Sequence, residues 1–185
     1  MRVIAGSARR LRLVTPDGKD TRPTQDRIKE TLFNMIQNQV PGSVFIDLFA
    51  GSGGIGIEAL SRGAKKAYFV ENAHEAYKCI VSNLKTTHFE ESGIILKQDV
   101  VLALRNIREQ EADIIFIDPP YNDGQYERVL SQLSDLSYVT VNTMIIVECA
   151  RDFDFSFADS YGFEVRREKE YKTNKHVFIY RKANL

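Results

Sequence analysis

Four short apolar runs, each closed by a carboxylate, constrain this chain more than any other feature. Val44, Phe45 and Ile46 lead into Asp47, Ala67 to Val70 into Glu71, Gly93 to Gln98 into Asp99, and Ile114 to Ile117 into Asp118. Between them lie stretches with helical apolar spacing, at about 55 to 62, 73 to 86 and 100 to 109. Strands that alternate with helices are joined by right-handed crossovers, so these runs predict a parallel sheet with helices on both faces. The ends of its strands line one edge, and open α/β sheets bind their ligands at that edge. Here the edge is acidic.

The remaining segments extend this sheet at both ends of the chain. Val3 to Ala5 and Leu11 to Val14 read as two short strands around a Gly-Ser turn, a small hairpin ahead of the main fold. Thr24 is placed to cap a helix whose Ile28, Leu32, Met35 and Ile36 share a face. A helix at about 124 to 136 precedes a fifth strand, Met144 to Glu148, and the tail reads as a hairpin of Phe163 to Tyr171 and His176 to Arg181. With 185 residues the chain suits one domain, with residues 1–23 as a hairpin extension and 24–185 as the core. No apolar run approaches the ~20 residues of a membrane span, and Met1-Arg2-Val3 does not open a signal peptide, so a cytoplasmic location is expected for a bacterial source. Cys79 and Cys149 read as buried free thiols and, with only three histidines, predict neither disulfide nor metal. Small size and zero net charge are compatible with a monomer.

The first predicted strand runs into Phe49-Ala50-Gly51-Ser52-Gly53-Gly54-Ile55-Gly56. Glycines at 51, 53 and 56 permit a tight turn and a close backbone approach to a ligand before a helix begins, and Gly63 suits the position just past that helix. The same spacing satisfies the G-x-G-x-x-G pattern of dinucleotide sites, and Glu71 can hold two ribose hydroxyls in either case. Asp47 separates the two. Beside a pyrophosphate its charge would be repelled, whereas it suits the ammonium of a methionine moiety, directly or through water. Asp99 can accept from an adenine amine. An acidic edge therefore suits a cationic cofactor.

Asp118-Pro119-Pro120-Tyr121 closes the fourth run and carries the chemistry. Ionised Asp118 only accepts hydrogen bonds, and prolines have no N–H, so the turn offers acceptors with few competing donors. A planar amine has two hydrogens to give. With one on the carboxylate and the other on a backbone carbonyl, its lone pair turns out of conjugation and faces an electrophile. Tyr121 can stack on the ring, a contact worth about 1–3 kcal/mol per base. The plainer alternative is a Pro-Pro turn whose tyrosine covers the core.

Asp47-Leu-Phe-Ala-Gly-Ser-Gly, Glu71, Asp99 and Asp118-Pro-Pro-Tyr resemble, in order, the motifs of class I S-adenosylmethionine-dependent amino methyltransferases. Arg22-Pro23-Thr24-Gln-Asp-Arg27-Ile-Lys29-Glu30-Thr-Leu-Phe33-Asn34 looks like the signature of the RsmD type, which methylates the N2 amine of a guanine in 16S rRNA. The likeness runs from about Arg2 to Arg181. It implies a Rossmann-like α/β fold, a mostly parallel seven-stranded sheet of order 3-2-1-4-5-7-6 ending in an antiparallel hairpin. It implies S-adenosylmethionine as cofactor, S-adenosylhomocysteine as product and no metal. The implied cofactor set is Asp47, Phe49, Gly51, Gly53, Glu71, Asn72, Asp99 and Val100, with Asp118, Pro119, Pro120 and Tyr121 as the catalytic tetrad. The implied partner is 16S rRNA in a small ribosomal subunit or an assembly intermediate of one. Guanine-N2 enzymes often end the tetrad in Phe, and Tyr121 is equally at home in DNA adenine methyltransferases, so the tetrad alone does not fix the base.

Charge is distributed to match an RNA partner. Residues 1–24 carry net +4, residues 164–182 another +4, and the rest −8. Basic ends around an acidic middle divide polyanion contact from cofactor cleft. The exposed pattern of the amino-terminal cluster makes Arg9, Arg10 and Arg12 the expected RNA contacts, and the resemblance adds Arg22, Thr24 and Arg27 beside the cleft. Capping and surface charge explain those three equally well, and the carboxyl-terminal cations can be the wet faces of strands. A DNA adenine-N6 methyltransferase would share the tetrad, but the chain has no room for the usual target-recognition region. A protein glutamine methyltransferase usually begins its tetrad with Asn, and a non-catalytic nucleotide-binding module gives no reason for Asp118-Pro-Pro-Tyr.

Overall fold

The computed structural model describes residues 1–16, 23–120 and 124–183. Among these residues five α-helices and seven strands occur, alternating up to β5 as the apolar runs require: α1 (Pro23–Met35), β1 (Val44–Asp47), α2 (Gly54–Ser61), β2 (Lys66–Val70), α3 (His74–Thr87), β3 (Gly93–Leu96), α4 (Val100–Asn106), β4 (Ile114–Ile117), α5 (Gln125–Ser134), β5 (Met144–Ala150), β6 (Phe163–Glu170) and β7 (Asn174–Arg181). The sheet order is β3-β2-β1-β4-β5-β7-β6, as the resemblance implies. The first five strands are parallel, while β7 lies antiparallel to both β5 and β6. No helix among the described residues is long and apolar enough to cross a membrane.

Side-chain alternation along each strand splits the core into two layers. Phe45, Phe69, Phe116, Ile146 and Phe178 meet Leu32, Phe33 and Ile36 of α1, together with α2 and α3. Ile46, Val70, Ile117, Val147 and Val177 meet α4, α5 and a 3-10 turn over Ser156–Tyr161. β1 and β4 are buried on both faces and therefore read as unbroken apolar runs instead of alternating ones. The 3-10 turn was not expected from the sequence. Phe153, Phe155 and Phe157 bring it against Tyr126 of α5, with Tyr126 and Phe153 ring centres 4.8 Å apart. Aromatic residues spaced two apart look like a strand, and only tertiary packing turns them inward.

Three expectations change. The amino-terminal hairpin is a single bridge between Arg2 and Arg12, closed by Val3 N–H to Leu11 O at 3.0 Å and Leu13 N–H to Met1 O at 2.9 Å. Its order comes from docking rather than from its own ladder. Glu58 of α2, fully buried, accepts the N–H groups of Ile4 at 2.8 Å and Ala5 at 3.0 Å, and pairs with Arg62 at 2.7 Å and Lys29 of α1 at 3.4 Å. Burial pulls the Lys29 ammonium down, and the Glu58 charge opposes it. Second, α1 begins at Pro23, so Thr24 lies inside the helix and is not its cap; Pro suits a first helical position because that N–H has no helical partner. Third, Cys149 is buried but Cys79 only partly so.

Candidate active site

The four carboxylates do arrive at one sheet edge, and each is positioned differently. β1 ends at Asp47, whose side chain is only 1% exposed and accepts from Gly56 N–H at 3.2 Å. Burial pushes its carboxyl up to about 7, against the pull of the Gly56 and Phe49 N–H groups. Asp47 thus braces the glycine loop from beneath, and an added cation nearby would relieve its desolvation. Glu71, just past β2, holds the same loop from the side, with Oε2 accepting Gly51 N–H at 2.9 Å and Oε1 accepting Ala73 N–H at 2.8 Å. Each of these oxygens retains acceptor capacity. Asp99 caps α4, accepting Val101 N–H at 2.9 Å, and meets Arg128 of α5 at 3.2 Å.

The loop conformation explains two of the glycines. Gly53 precedes α2 with φ +82°, a left-handed conformation that other residues rarely adopt. At Gly56 a Cβ would sit 2.4 Å from Phe69 Cε1, so only glycine lets α2 lie this close to β2. Asn83 of α3 ties the loop to the amino-terminal arm, donating 2.9 Å bonds to Ser52 O and Val14 O.

Phe49, Glu71, Asn72, Asp99 and Val100 line a cleft of about 150 Å³ that also touches Pro120 and Gln125. The structure therefore brings five of the eight expected cofactor residues to one cavity wall, with Gly51 one hydrogen bond away. Asp47 and Gly53 lie beneath it as supports. Gln125 was missed by sequence reasoning. Its Oε1 is buried with no hydrogen-bond partner among the described residues, an acceptor held beside the cleft.

Asp118 is exposed at the end of β4, Pro119 is buried and Pro120 exposed. Tyr121 lies outside the described residues, as does Arg22, and the side chain of Thr24 is not described. Next to the tetrad stands a cluster that sequence reasoning also missed. Glu148 of β5 pairs with His176 of β7 at 3.2 Å and accepts from Asn174 at 2.6 Å, while Tyr171 reaches His176 Nδ1 at 3.0 Å. The rule that singled out four strand-end carboxylates reaches Glu148 too, because the sequence places it at the end of the fifth apolar run.

On the α1 side, Arg2, Arg9, Arg10 and Arg27 surround a hollow of about 690 Å³ together with Asp26 and Glu30. Arg10 adopts φ 74°, a left-handed conformation held by the docked hairpin rather than by local preference. Arg12 is exposed but lies outside this hollow. The carboxyl-terminal cations are largely engaged elsewhere. Lys175 is buried on Glu168 at 3.0 Å, Arg181 donates to Leu133 O at 3.0 Å, and Arg166 pairs with Glu164 at 2.7 Å. For those residues the plain reading as strand faces holds.

A family model described as conserved hypothetical protein 95 matches residues 1–181. A Bacillus subtilis protein described as a putative rRNA methyltransferase is 36% identical over 184 residues, covering 98% of this chain and 99% of that one. Ribosomal RNA small subunit methyltransferase D of Haemophilus influenzae is 36% identical across 82% of this chain and 80% of its own. Among solved structures, a putative methyltransferase from Escherichia coli superposes with TM-score 0.83 at 28% identity, covering 100% of this chain and 99% of that chain. With the motifs, the strand order and matches that span nearly the whole length in agreement, the chain belongs to the RsmD family of class I methyltransferases.

Proposed function

We propose that this protein transfers a methyl group from S-adenosylmethionine to the exocyclic N2 amine of a guanine in small-subunit ribosomal RNA. The observation that carries this reading is Pro120, which lines the same cleft as Glu71 and Asp99, so the amine-holding tetrad and the cofactor pocket share a wall. The family and the names of its members support rRNA as the substrate class.

The donor set fits the cofactor. The remaining acceptor capacity of Glu71 suits two ribose hydroxyls, Asp99 and the unpartnered Gln125 Oε1 suit an adenine amine, and buried Asp47 suits an ammonium. Bound there, S-adenosylmethionine supplies an electrophilic methyl on a sulfonium sulfur. The protein's own part is to position. The target base leaves its stack, Asp118 accepts one amine hydrogen and a proline carbonyl the other, and the lone pair faces the methyl in line. Bond formation to that methyl would leave the C–S pair on sulfur and make the nitrogen strongly acidic. Its proton leaves to Asp118 or to water, so no dedicated base is needed.

The Arg2, Arg9, Arg10 and Arg27 hollow fits the phosphate backbone of such a substrate. Labelled methyl transfer in parallel on small ribosomal subunits, naked rRNA and duplex DNA tests the reading. Label in RNA from the subunits or the naked transcript is expected. Label in duplex DNA alone would mean an adenine methyltransferase.

A further inference from the structure

The tetrad holds an amine but does not choose between bases, and the cluster beside it offers a physical basis for the choice. In the parallel pairing of β4 with β5, Ile117 is matched with Val147, so Asp118, the first residue past β4, follows on beside Glu148 of β5; paired strands lie about 4.8 Å apart. Their charges act on the same surroundings. Burial first, then Cys149, and then Asp118 and Glu148 push the Tyr126 phenol up, and the same two carboxylates, after burial and Glu168, help raise the Cys149 thiol to about 12 against the pull of Lys175.

Glu148 belongs to the sheet face that carries Phe116, Ile146 and Phe178, the face covered by α1 and the hairpin with its arginine hollow. Its side chain is partly exposed, at 26%. The rest is fixed. His176, 1% exposed and edge-on to Phe116, lies between Tyr171 and Glu148, an arrangement assigned as Tyr171 O–H donating to Nδ1 and Nε2–H donating to Glu148 Oε2. Asn174 donates to Glu148 Oε1, and its own Oδ1 is buried without a partner among the described residues. Two bonds to a carboxylate leave each oxygen able to accept another.

From this geometry we infer that Glu148, oriented by His176 and Asn174, accepts the N1–H of the target guanine and so selects guanine over bases whose N1 bears a lone pair. The inference rests on the guanine-N2 reading of the same site. On guanine the N1–H and the N2 amine lie next to each other on one edge, which matches two carboxylates on neighbouring strands. Adenine, or any purine with an unprotonated N1, sets a lone pair against the Glu148 oxygen. His176 and Asn174 are positioning residues in this scheme, and Glu148 determines specificity.

The test compares guanine with 2,6-diaminopurine, which keeps the N2 amine but carries a lone pair at N1. The methylated nucleotide is first mapped in small-subunit RNA. Subunits are then reconstituted on 16S RNA bearing either base at that position, and kcat/KM is measured for wild type, Glu148→Gln and His176→Gln. Wild type is expected to prefer guanine by roughly a hundredfold or more, because a site built for a donor rejects an analogue lacking it. Glu148→Gln, whose amide can donate to N1, should bring the ratio below about tenfold. His176→Gln, which keeps a donor to Glu148, should fall between them. Each ratio is taken on a single protein, so partial misfolding cancels, and cofactor affinity by calorimetry confirms that the site is formed. A wild-type ratio near one, or an unchanged ratio in Glu148→Gln, overturns the inference. Failure of the wild type to methylate any guanine in the subunits refutes the guanine reading itself, before any variant is compared.

Discussion

The two halves of this active edge are built on opposite plans. On the cofactor half, β1 to β3 and their following turns each place one carboxylate, and Asp47, Glu71 and Asp99 bond to backbone N–H groups no more than 20 residues away. On the target half, residues far apart in the chain must meet. Glu148 joins His176 across 28 residues, and Glu58 joins Ile4 across 54. The cofactor half is braced mainly by nearby backbone, with Asn83 and Arg128 as its longer-range ties. The distant half exists only once β7 has paired with β5 and the hairpin has docked on α2, so its order is tied to tertiary stability.

The difference can be broken from either side. The largest effect is expected from Asp118→Ala, which removes the acceptor at the junction: methyl transfer should fall at least about 1,000-fold in kcat, while calorimetry shows cofactor affinity within a few-fold of wild type. Near wild-type turnover would refute the positioning mechanism. Next comes Glu58→Ala, which strands Lys29 and Arg62 and frees the N–H groups of Ile4 and Ala5. Breaking such a buried pair costs about 3–5 kcal/mol, read as a shift in urea midpoint, and RNA affinity should drop far more than cofactor affinity. Equal losses on both halves would mean that the two are not built separately.

Smaller effects sharpen the comparison. Arg27→Ala should weaken RNA binding and lower the salt slope by about one, with no change at the cofactor cleft. An unchanged slope would remove the arginine hollow from the RNA path. The smallest effect concerns Asp47, whose folded pKa is raised from 3.8 to about 7. Its contribution to the stability of the free protein is complete below pH 3.8 and is lost as pH rises through about 7. An ammonium bound nearby favours the ionised form, so cofactor binding releases a proton below pH 7 and affinity should rise several-fold from pH 5.5 to 7. Asp47→Asn should flatten that rise, and an equally steep rise in the variant would uncouple Asp47 from the cofactor.

Much of this was legible in the sequence, for reasons that differ between the halves. β1 and β4 show as unbroken apolar runs because both faces are buried, and their closing carboxylates show because a strand end is a sequence-local position. The glycine loop shows because Gly53 takes a left-handed conformation that favours glycine and Gly56 leaves room for Phe69 where a Cβ would clash. Glu58 was not legible. It sits inside an ordinary α2 pattern, and nothing near it in the chain tells of Ile4 or Lys29. His176 has no sequence neighbour that announces a partner, and its pairing with Glu148 depends on the antiparallel register of β5 with β7. The aromatic run from Phe153 to Phe157 alternated like a strand, and packing against Tyr126 bent it into a turn.

Product identity tests the central claim most directly. Small ribosomal subunits are treated with the protein and S-adenosylmethionine carrying a deuterated methyl, the RNA is digested to nucleosides, and the labelled species is identified by mass and retention. The proposed chemistry predicts label in N2-methylguanosine from 16S rRNA, absent when Asp118→Ala replaces the wild type. Label in N6-methyladenosine, or label that persists in that variant, would contradict it.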